Sequence, residues 1–246
     1  MKRFNLFLLK NRHIWPLLYA FIYMPWFLYL ENKYDTLNNV TIIHSKFDDV
    51  IPFCEVFVIP YMLWFLYIPF VFVLLYFSSN KEFYRLCSFE FIGMTVALFT
   101  CTIFPNGHDL RVNLNTNENI FTEILSFIYK NDTSTNVLPS IHVFATLAAH
   151  TCLIYSPQVR IRPYLKTISA ILSGLICVST VVLKQHSIID SICGVLLAIV
   201  VYLFVFKFMF RNVNFNENSH DKLQALFWLN KKHKKSTYIK NKPSAI

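Results

Sequence analysis

Six long runs of mostly apolar residues constrain the fold of this chain more than any other feature. They cover about residues 13–30, 52–77, 88–105, 139–155, 165–183 and 188–210. A helix needs roughly 20 apolar residues to cross the hydrocarbon core of a bilayer. With 55% hydrophobic, 17% aromatic and only 15% charged residues, the chain is too apolar for a water-soluble domain of its length. The sequence therefore predicts an all-α, polytopic membrane protein with six transmembrane helices.

The basic residues predict how these helices are oriented. With the N-terminus inside, only five of the 23 lysines and arginines lie outside, namely Lys33, Lys46, Arg111, Lys130 and Lys184. Because cytoplasmic loops are enriched in basic residues, we expect both termini inside and a location in the cell membrane. Residues 1–12 form a cytoplasmic N-terminus, residues 13–211 a six-span domain, and residues 212–246 a basic cytoplasmic tail. The net charge of +9 then faces anionic headgroups, and a nucleic-acid partner is not expected. The oligomeric state stays open.

Three polar clusters break the apolar pattern, and this topology puts all of them on the outer side of the membrane. They occur at residues 105–112 (PNGHDLRV), 139–142 (PSIH) and 179–190 (STVVLKQHSIID). The outer loop between the first two contains FTEILSFIY, residues 121–129, which is typical of an amphipathic helix on a membrane surface. The six cysteines show no metal-like spacing, so we expect them to pack in the protein interior.

Each cluster has a chemical interpretation. Pro139 begins a helix whose first-turn N–H groups suit an anion, with Ser140 and His142 beside it. His186 and Asp190 are four residues apart, so on a helix they share a face. The carboxylate can then hold one imidazole nitrogen while the other acts as a nucleophile.

Two cations fit the same chemistry, because Arg111 and Lys184 supply the positive charge that phosphate recognition needs. His108 is less settled, and we expect it to have a loop role. Asp190 lies at the start of an apolar run, where a carboxylate is costly enough to indicate function. Together these residues predict phosphoryl chemistry.

The three clusters resemble the three motifs of the type-2 phosphatidic acid phosphatase superfamily, Lys-x6-Arg-Pro, Pro-Ser-Gly-His and Ser-Arg-x5-His-x3-Asp. Here the second motif reads PSIH at 139–142, and the third has the family spacing from Ser179 through His186 to Asp190, with Gly194 four residues on. In the first motif only Arg111 matches, since Phe104 stands at the lysine position and Val112 at the proline position.

The resemblance implies a six-helix bundle and a mechanism that needs no metal or other cofactor. By analogy His186 attacks phosphorus to give a phosphohistidine, Asp190 orients it, and His142 protonates the leaving oxygen. The remaining motif residues would bind the phosphate oxygens, and these are Arg111, Ser140, Ser179, Thr180 and Lys184. The active site would face the outside of the cell.

The departures from the family pattern leave three functions open. The motif lysine and arginine are missing, with Thr180 at the arginine position, and Ile141 replaces the glycine. The leading interpretation is a phosphatase that acts on a phospholipid or an isoprenoid phosphate. A phosphodiester headgroup transferase, similar to the inositolphosphorylceramide and sphingomyelin synthases, would suit a pocket with few cations. The third is a non-catalytic lipid-binding membrane protein.

Overall fold

The structure is a computed structural model, and it describes residues 12–114, 119–156, 158–159 and 162–211. A 3₁₀ helix at Arg12–Tyr19 leads into α1 (Ala20–Lys33). It is followed by β1 (Thr41–Ile42), α2 (Lys46–Val50), α3 (Val58–Ser78), α4 (Asn80–Ile103), β2 (Asn106–Gly107), α5 (Ile120–Asn131), α6 (Ile141–Ile154), α7 (Tyr164–Val182) and α8 (Ile188–Tyr202), which continues as a π-helix at Leu203–Met209. Residues 1–11 of the expected N-terminus and the expected tail, residues 212–246, lie outside the described residues.

The helical character of the chain is confirmed, and several helices are long enough to cross a membrane. Four segments of the described residues meet the length and composition of a span: Glu55–Ser78, Asn80–Ile103, Tyr164–Val182 and Ile188–Met209. The fourth apolar run forms a helix of 14 residues, and the first run is divided between the 3₁₀ helix and α1. The number of six spans and the orientation therefore stay predictions.

The start of α4 differs from the sequence prediction. The apolar run suggested a beginning near residue 88, whereas the helix begins at Asn80. Ser79 caps it, since its hydroxyl accepts a hydrogen bond from the Glu82 N–H at 3.3 Å. The capped first turns are polar, and Arg85 pairs with Glu82 at 2.7 Å, so hydropathy alone could not locate this helix end.

Helix α6 lies at the centre of the bundle and contacts α3, α4, α7 and α8. Its buried face carries Phe144 and Ala148, which pack in one core with Leu75, Leu86 and Ile176. Small residues allow this close packing. A side chain at Gly93 of α4 would put its Cβ 1.8 Å from the Phe144 ring.

The loops at the start of α6 are tied together by backbone pairing. The two-residue strands β1 and β2 pair in parallel, a small addition to the all-α prediction. Asn106 in β2 also accepts hydrogen bonds from the backbone N–H groups of Val137, at 2.9 Å, and Leu138, at 2.8 Å. This fixes the chain just before Pro139, where the second polar cluster begins.

Candidate functional site

The structure brings His142, His186 and Asp190 together at the starts of α6 and α8. His142 Nδ1 lies 3.3 Å from His186 Nε2, and His186 Nδ1 lies 3.5 Å from Asp190 Oδ2. Asp190 is completely buried and His186 nearly so. One ring nitrogen of His186 thus faces a carboxylate and the other faces a second imidazole.

His186 is not on the helix that carries Asp190, so the predicted shared helix face is wrong. Helix α8 begins at Ile188 and Ser187 is its N-cap. His186 lies in the preceding turn, whose N–H groups at Gln185 and His186 both donate to the Thr180 carbonyl at 3.0 Å. The Asp190 carboxylate accepts from the Ser187 N–H at 2.9 Å. Asp190 therefore helps to cap α8 and also faces the His186 imidazole.

Asp48, in α2, holds this turn from a distant part of the sequence. Its carboxylate accepts from the Ser187 hydroxyl at 2.6 Å and from the Ile188 N–H at 2.8 Å. It also accepts from the Ser45 N–H at 2.8 Å. Asp48 is only 1% exposed, so this buried carboxylate has its charge satisfied by the N-terminus of α8.

His108 supports the same turn, in agreement with the loop role that we expected. Its Nε2 lies 2.8 Å from the Gln185 carbonyl, and its Nδ1 accepts from the Leu110 N–H at 3.2 Å. These contacts require a proton on Nε2 and none on Nδ1. Burial, followed by repulsion from His186, lowers the pKa of His108 to about 4, so the imidazole is neutral near pH 7.

Arg111 is held by backbone carbonyls. Its guanidinium donates to the carbonyls of Tyr129, Asp132 and Thr133, each at 2.9 Å. A fourth contact joins its Nη2 to Gln185 Oε1 at 3.1 Å. Since most of its donors are engaged, direct phosphate binding by Arg111 would require these contacts to break, and that role stays a prediction.

Lys184 is held by two backbone carbonyls. Its ammonium donates to the Asp48 carbonyl at 2.5 Å and to the Ile51 carbonyl at 2.7 Å. The backbone there has a φ of 55°, a left-handed conformation that is uncommon outside glycine. Lys184 thus joins the segment containing Asp48 to the turn before α8, and a phosphate contact by Lys184 also stays a prediction.

The three predicted hydroxyl ligands are fully buried and bond within the protein. Ser140 caps α6 by accepting from the Val143 N–H at 3.4 Å. Ser179 donates to the Ile176 carbonyl at 2.6 Å, and Thr180 to the Cys177 carbonyl at 2.8 Å. Phosphate binding by these hydroxyls is untested, and their observed contacts stabilise the helix ends around the two histidines.

A cavity of about 590 Å³ opens beside the histidine pair. Its rim includes Met24, Met62, Phe65 and Phe127, all of which are at least 41% exposed. The lining also includes a set of polar and acidic residues, namely Glu31, Asn131, Asp132, Thr133, Thr135, Asn136 and Gln185. Among the described lining residues there is no lysine or arginine.

Aromatic rings from α3 hold His142 in place. Its imidazole centre lies 4.9 Å from that of Tyr61 and 4.6 Å from that of Trp64. The predicted amphipathic segment is confirmed as a helix, α5, and contributes Phe127 and Ile128 to the cavity. Sequence reasoning missed the polar lining residues and the aromatic contacts, because isolated side chains outside a motif carry no spacing signal.

A protein-family model supplies the deciding comparison. Residues 113–214 match the model described as the PAP2 superfamily. This part of the chain is similar to the PAP2 superfamily. The match contains the second and third polar clusters but not residues 105–112, in agreement with the weak first motif. No curated protein and no solved structure matches the chain.

The match to the PAP2 superfamily and the apolar helices together indicate a multi-pass membrane protein. The same match supports a phosphoesterase-type enzyme. Within the PAP2 match lie His142, His186, Asp190 and Gly194, and each of them is at the contact between α6 and α8.

Proposed function

We propose that this protein is a lipid phosphatase that hydrolyses a phosphate ester or diphosphate of a lipid through a phosphohistidine on His186. The observation that carries this proposal is the chain of contacts from Asp190 through His186 to His142, beside a cavity with an apolar rim. Those three residues supply a carboxylate to orient the nucleophile, a nucleophilic nitrogen and a proton donor.

The proposed reaction has two steps. First, His186 Nε2 forms a bond to phosphorus while the bond to the lipid oxygen breaks, and His142 protonates the departing oxygen. Next, His142 takes a proton from water, which attacks phosphorus as the bond to nitrogen breaks and inorganic phosphate is released. Asp190 stabilises the positive charge that develops on the His186 ring during the first step.

The apolar rim supports a lipid substrate. Residues from α1, α3 and α5 expose methionine and phenylalanine side chains around the cavity, and acyl or isoprenoid chains would contact such a surface favourably. The reacting phosphorus would then lie next to the histidines. A phospholipid and an isoprenoid phosphate both meet this description.

The outward orientation of the site is also part of the proposal. Its support is the distribution of basic residues. That distribution predicts that His108, His142 and His186 lie on the side of the membrane opposite the basic segments. Cysteine at the exposed Asp109 position should react with an impermeant thiol reagent added to intact cells. Cysteine at Lys166, at the other end of the bundle, should react only after lysis.

A second candidate function is transfer of a phosphodiester headgroup between lipids. It is favoured by the cavity lining, which includes Glu31 and Asp132 but, among the described residues, no cation. Burial raises the pKa of Asp132, and Arg111 opposes that rise. Adding further negative charge to this part of the cavity lining therefore costs free energy. A dianionic monoester would meet more repulsion here than a diester with a single charge.

The test is an assay of purified protein in detergent with phosphatidic acid and with pairs of phosphodiester donor and lipid acceptor. Phosphate release supports the phosphatase, whereas headgroup exchange without phosphate release supports the transferase. His186→Ala should reduce either activity by several orders of magnitude. An unchanged rate in that variant would overturn both candidates and favour a non-catalytic lipid-binding role.

A further inference from the structure

Gln185 lines the cavity beside His186 and has a hydrogen-bond donor that no described residue uses. Its side chain lines the cavity together with His142 and His186, and the residue is only 3% exposed. The amide Nε2 is buried and has no hydrogen-bond partner among the described residues. A buried donor without a partner costs free energy, so its position here indicates a ligand that accepts from it.

The contacts of Gln185 fix the direction of this amide. Arg111 can only donate, so the amide atom 3.1 Å from its Nη2 must be the oxygen. The Gln185 N–H donates to the Thr180 carbonyl at 3.0 Å, and the Gln185 carbonyl contacts His108 Nε2 at 2.8 Å. The backbone N–H, the backbone carbonyl and the side-chain oxygen of Gln185 all have partners. Its Nε2 is therefore the group that remains for a ligand.

Tyr61 offers a second neutral donor to the same space. It lines the cavity, is 1% exposed, and packs on the His142 ring at 4.9 Å. Its hydroxyl lies near the Asp132 carboxylate but makes no hydrogen bond of ordinary geometry with a described residue. Neutral donors therefore line the cavity where Arg111 and Lys184 do not.

We propose that Gln185 Nε2 and the Tyr61 hydroxyl bind the non-bridging oxygens of the substrate phosphoryl group, that Arg111 positions Gln185, and that the site is matched to a singly charged phosphodiester. This rests on the proposed attack of His186 on phosphorus, a step that the phosphatase and the headgroup transferase share, and a match to a diester favours the transferase over the phosphatase. The two donors stabilise developing oxygen charge without adding a positive charge. Glu31 and Asp132 also line the cavity, and none of its described lining residues is a lysine or arginine that could pair with a second negative charge on the phosphate.

Gln185→Glu tests the donor directly. Glutamate keeps an acceptor for Arg111 but replaces the unused N–H group with an oxygen, so kcat/KM should fall about 100-fold with little change in thermal midpoint. Gln158→Glu is the matched control, because Gln158 is a buried glutamine outside the cavity lining, and its activity should be unchanged. Activity of Gln185→Glu within twofold of the parent would overturn the proposal.

Tyr61→Phe removes one hydroxyl and keeps the ring against His142. We expect kcat/KM to fall about tenfold. Tyr67→Phe is its control, since Tyr67 is a buried α3 tyrosine whose hydroxyl contacts Ser169 at 2.6 Å, and it should keep full activity. Equal losses in the two variants would contradict a phosphoryl contact by Tyr61.

The positioning role of Arg111 is tested by coupling. If Arg111 acts through Gln185, the loss in kcat from Arg111→Ala and from Gln185→Glu should not add in the double variant. A merely structural role of Arg111 would lower the thermal midpoint and leave the two losses in kcat additive. Additive losses would therefore remove Arg111 from this proposal.

The charge preference is tested by the ratio of kcat/KM for phosphatidic acid to that for phosphatidylethanolamine between pH 5 and pH 8. A phosphate monoester loses its second proton at a pKa of roughly 6, while a diester keeps one charge. Titration of enzyme groups affects kcat/KM for both substrates and cancels in the ratio, whereas only phosphatidic acid gains a second negative charge. The ratio should therefore fall as pH rises. A constant or rising ratio would overturn the charge match.

The His186 and Gln185 variants distinguish this inference from the proposed function. Activity that requires His186 but does not depend on Gln185 would contradict this inference alone, whereas activity independent of His186 would contradict the proposed function.

Discussion

His142 Nδ1 lies 3.3 Å from His186 Nε2, within reach of a single shared proton. Asp190 stands beside the other nitrogen of His186, so it favours a proton on His186 Nδ1 and leaves Nε2 as the acceptor. The shared proton then belongs to His142 Nδ1. In the proposed mechanism, this arrangement favours His142 as the acid and His186 as the nucleophile.

The first prediction separates these two roles by the leaving group. A poor leaving group such as a lipid alkoxide needs the proton of His142, whereas p-nitrophenolate does not. His142→Ala should therefore lose about 100- to 10,000-fold in the first step with a lipid ester but far less with a p-nitrophenyl ester, as measured by rapid-quench kinetics. His186→Ala should lose both activities. Equal losses of His142→Ala on the two esters would contradict the assignment.

The second prediction concerns Asp48. Its carboxylate accepts three hydrogen bonds, and an amide supplies only one oxygen. Asp48→Asn should therefore lower the free energy of unfolding by ~2 kcal/mol and reduce kcat, because the turn carrying His186 loosens. The neighbouring Asp49→Asn, at an exposed site, should stay within ~0.5 kcal/mol. Matching thermal midpoints for the two variants would show that Asp48 does not hold the turn.

The third prediction uses two glycines. At Gly194 a Cβ would lie 2.7 Å from the Ser140 carbonyl oxygen and 3.2 Å from Val143 Cβ. Gly194→Ala should therefore push α6 and α8 apart, with a loss of ~1–3 kcal/mol in stability and of most activity. Gly174→Ala meets nothing within 4 Å and should raise stability by up to ~1 kcal/mol. A fully active Gly194→Ala would show that the spacing of these helices does not matter.

The fourth prediction is a pH dependence from His108. Its pKa is about 4 in the fold and roughly 6.5 in an unfolded chain, so between those values the unfolded state binds the extra proton. The contribution of His108 to the free energy of unfolding is fully present above pH 6.5. It falls as the pH drops toward 4, and the loss at pH 5 is on the order of 2 kcal/mol. His108→Gln, which can still donate, should show a smaller fall in thermal midpoint from pH 7 to pH 5. Identical falls would exclude His108 as the source.

The helices and the histidine pair could be predicted because their signals are local. Long apolar runs predicted the helices, and the spacing of His186 and Asp190 fits both a helix face and the capped turn that the structure contains. His142 follows Ser140 at the start of an apolar helix, where hydrophobicity and capping agree. The starts of α4 and α8 were less predictable, since caps and polar first turns decide them.

The partners of the cations could not be predicted, because they are distant in sequence. Arg111 is held by carbonyls about twenty residues away, and Lys184 by carbonyls more than 130 residues away. Backbone carbonyls leave no mark on a sequence. Nor does anything local distinguish Tyr61 among the 13 tyrosines of the chain, or suggest that Gln185 faces a cavity.

The central claim is that His186 becomes phosphorylated. Protein mixed with ³²P-labelled phosphatidic acid, quenched in alkali within one turnover and digested should yield label on the peptide containing His186. The label should be stable in alkali, labile in acid, and lost in His186→Ala. Turnover without label on His186, or label on another residue, would contradict the proposed mechanism.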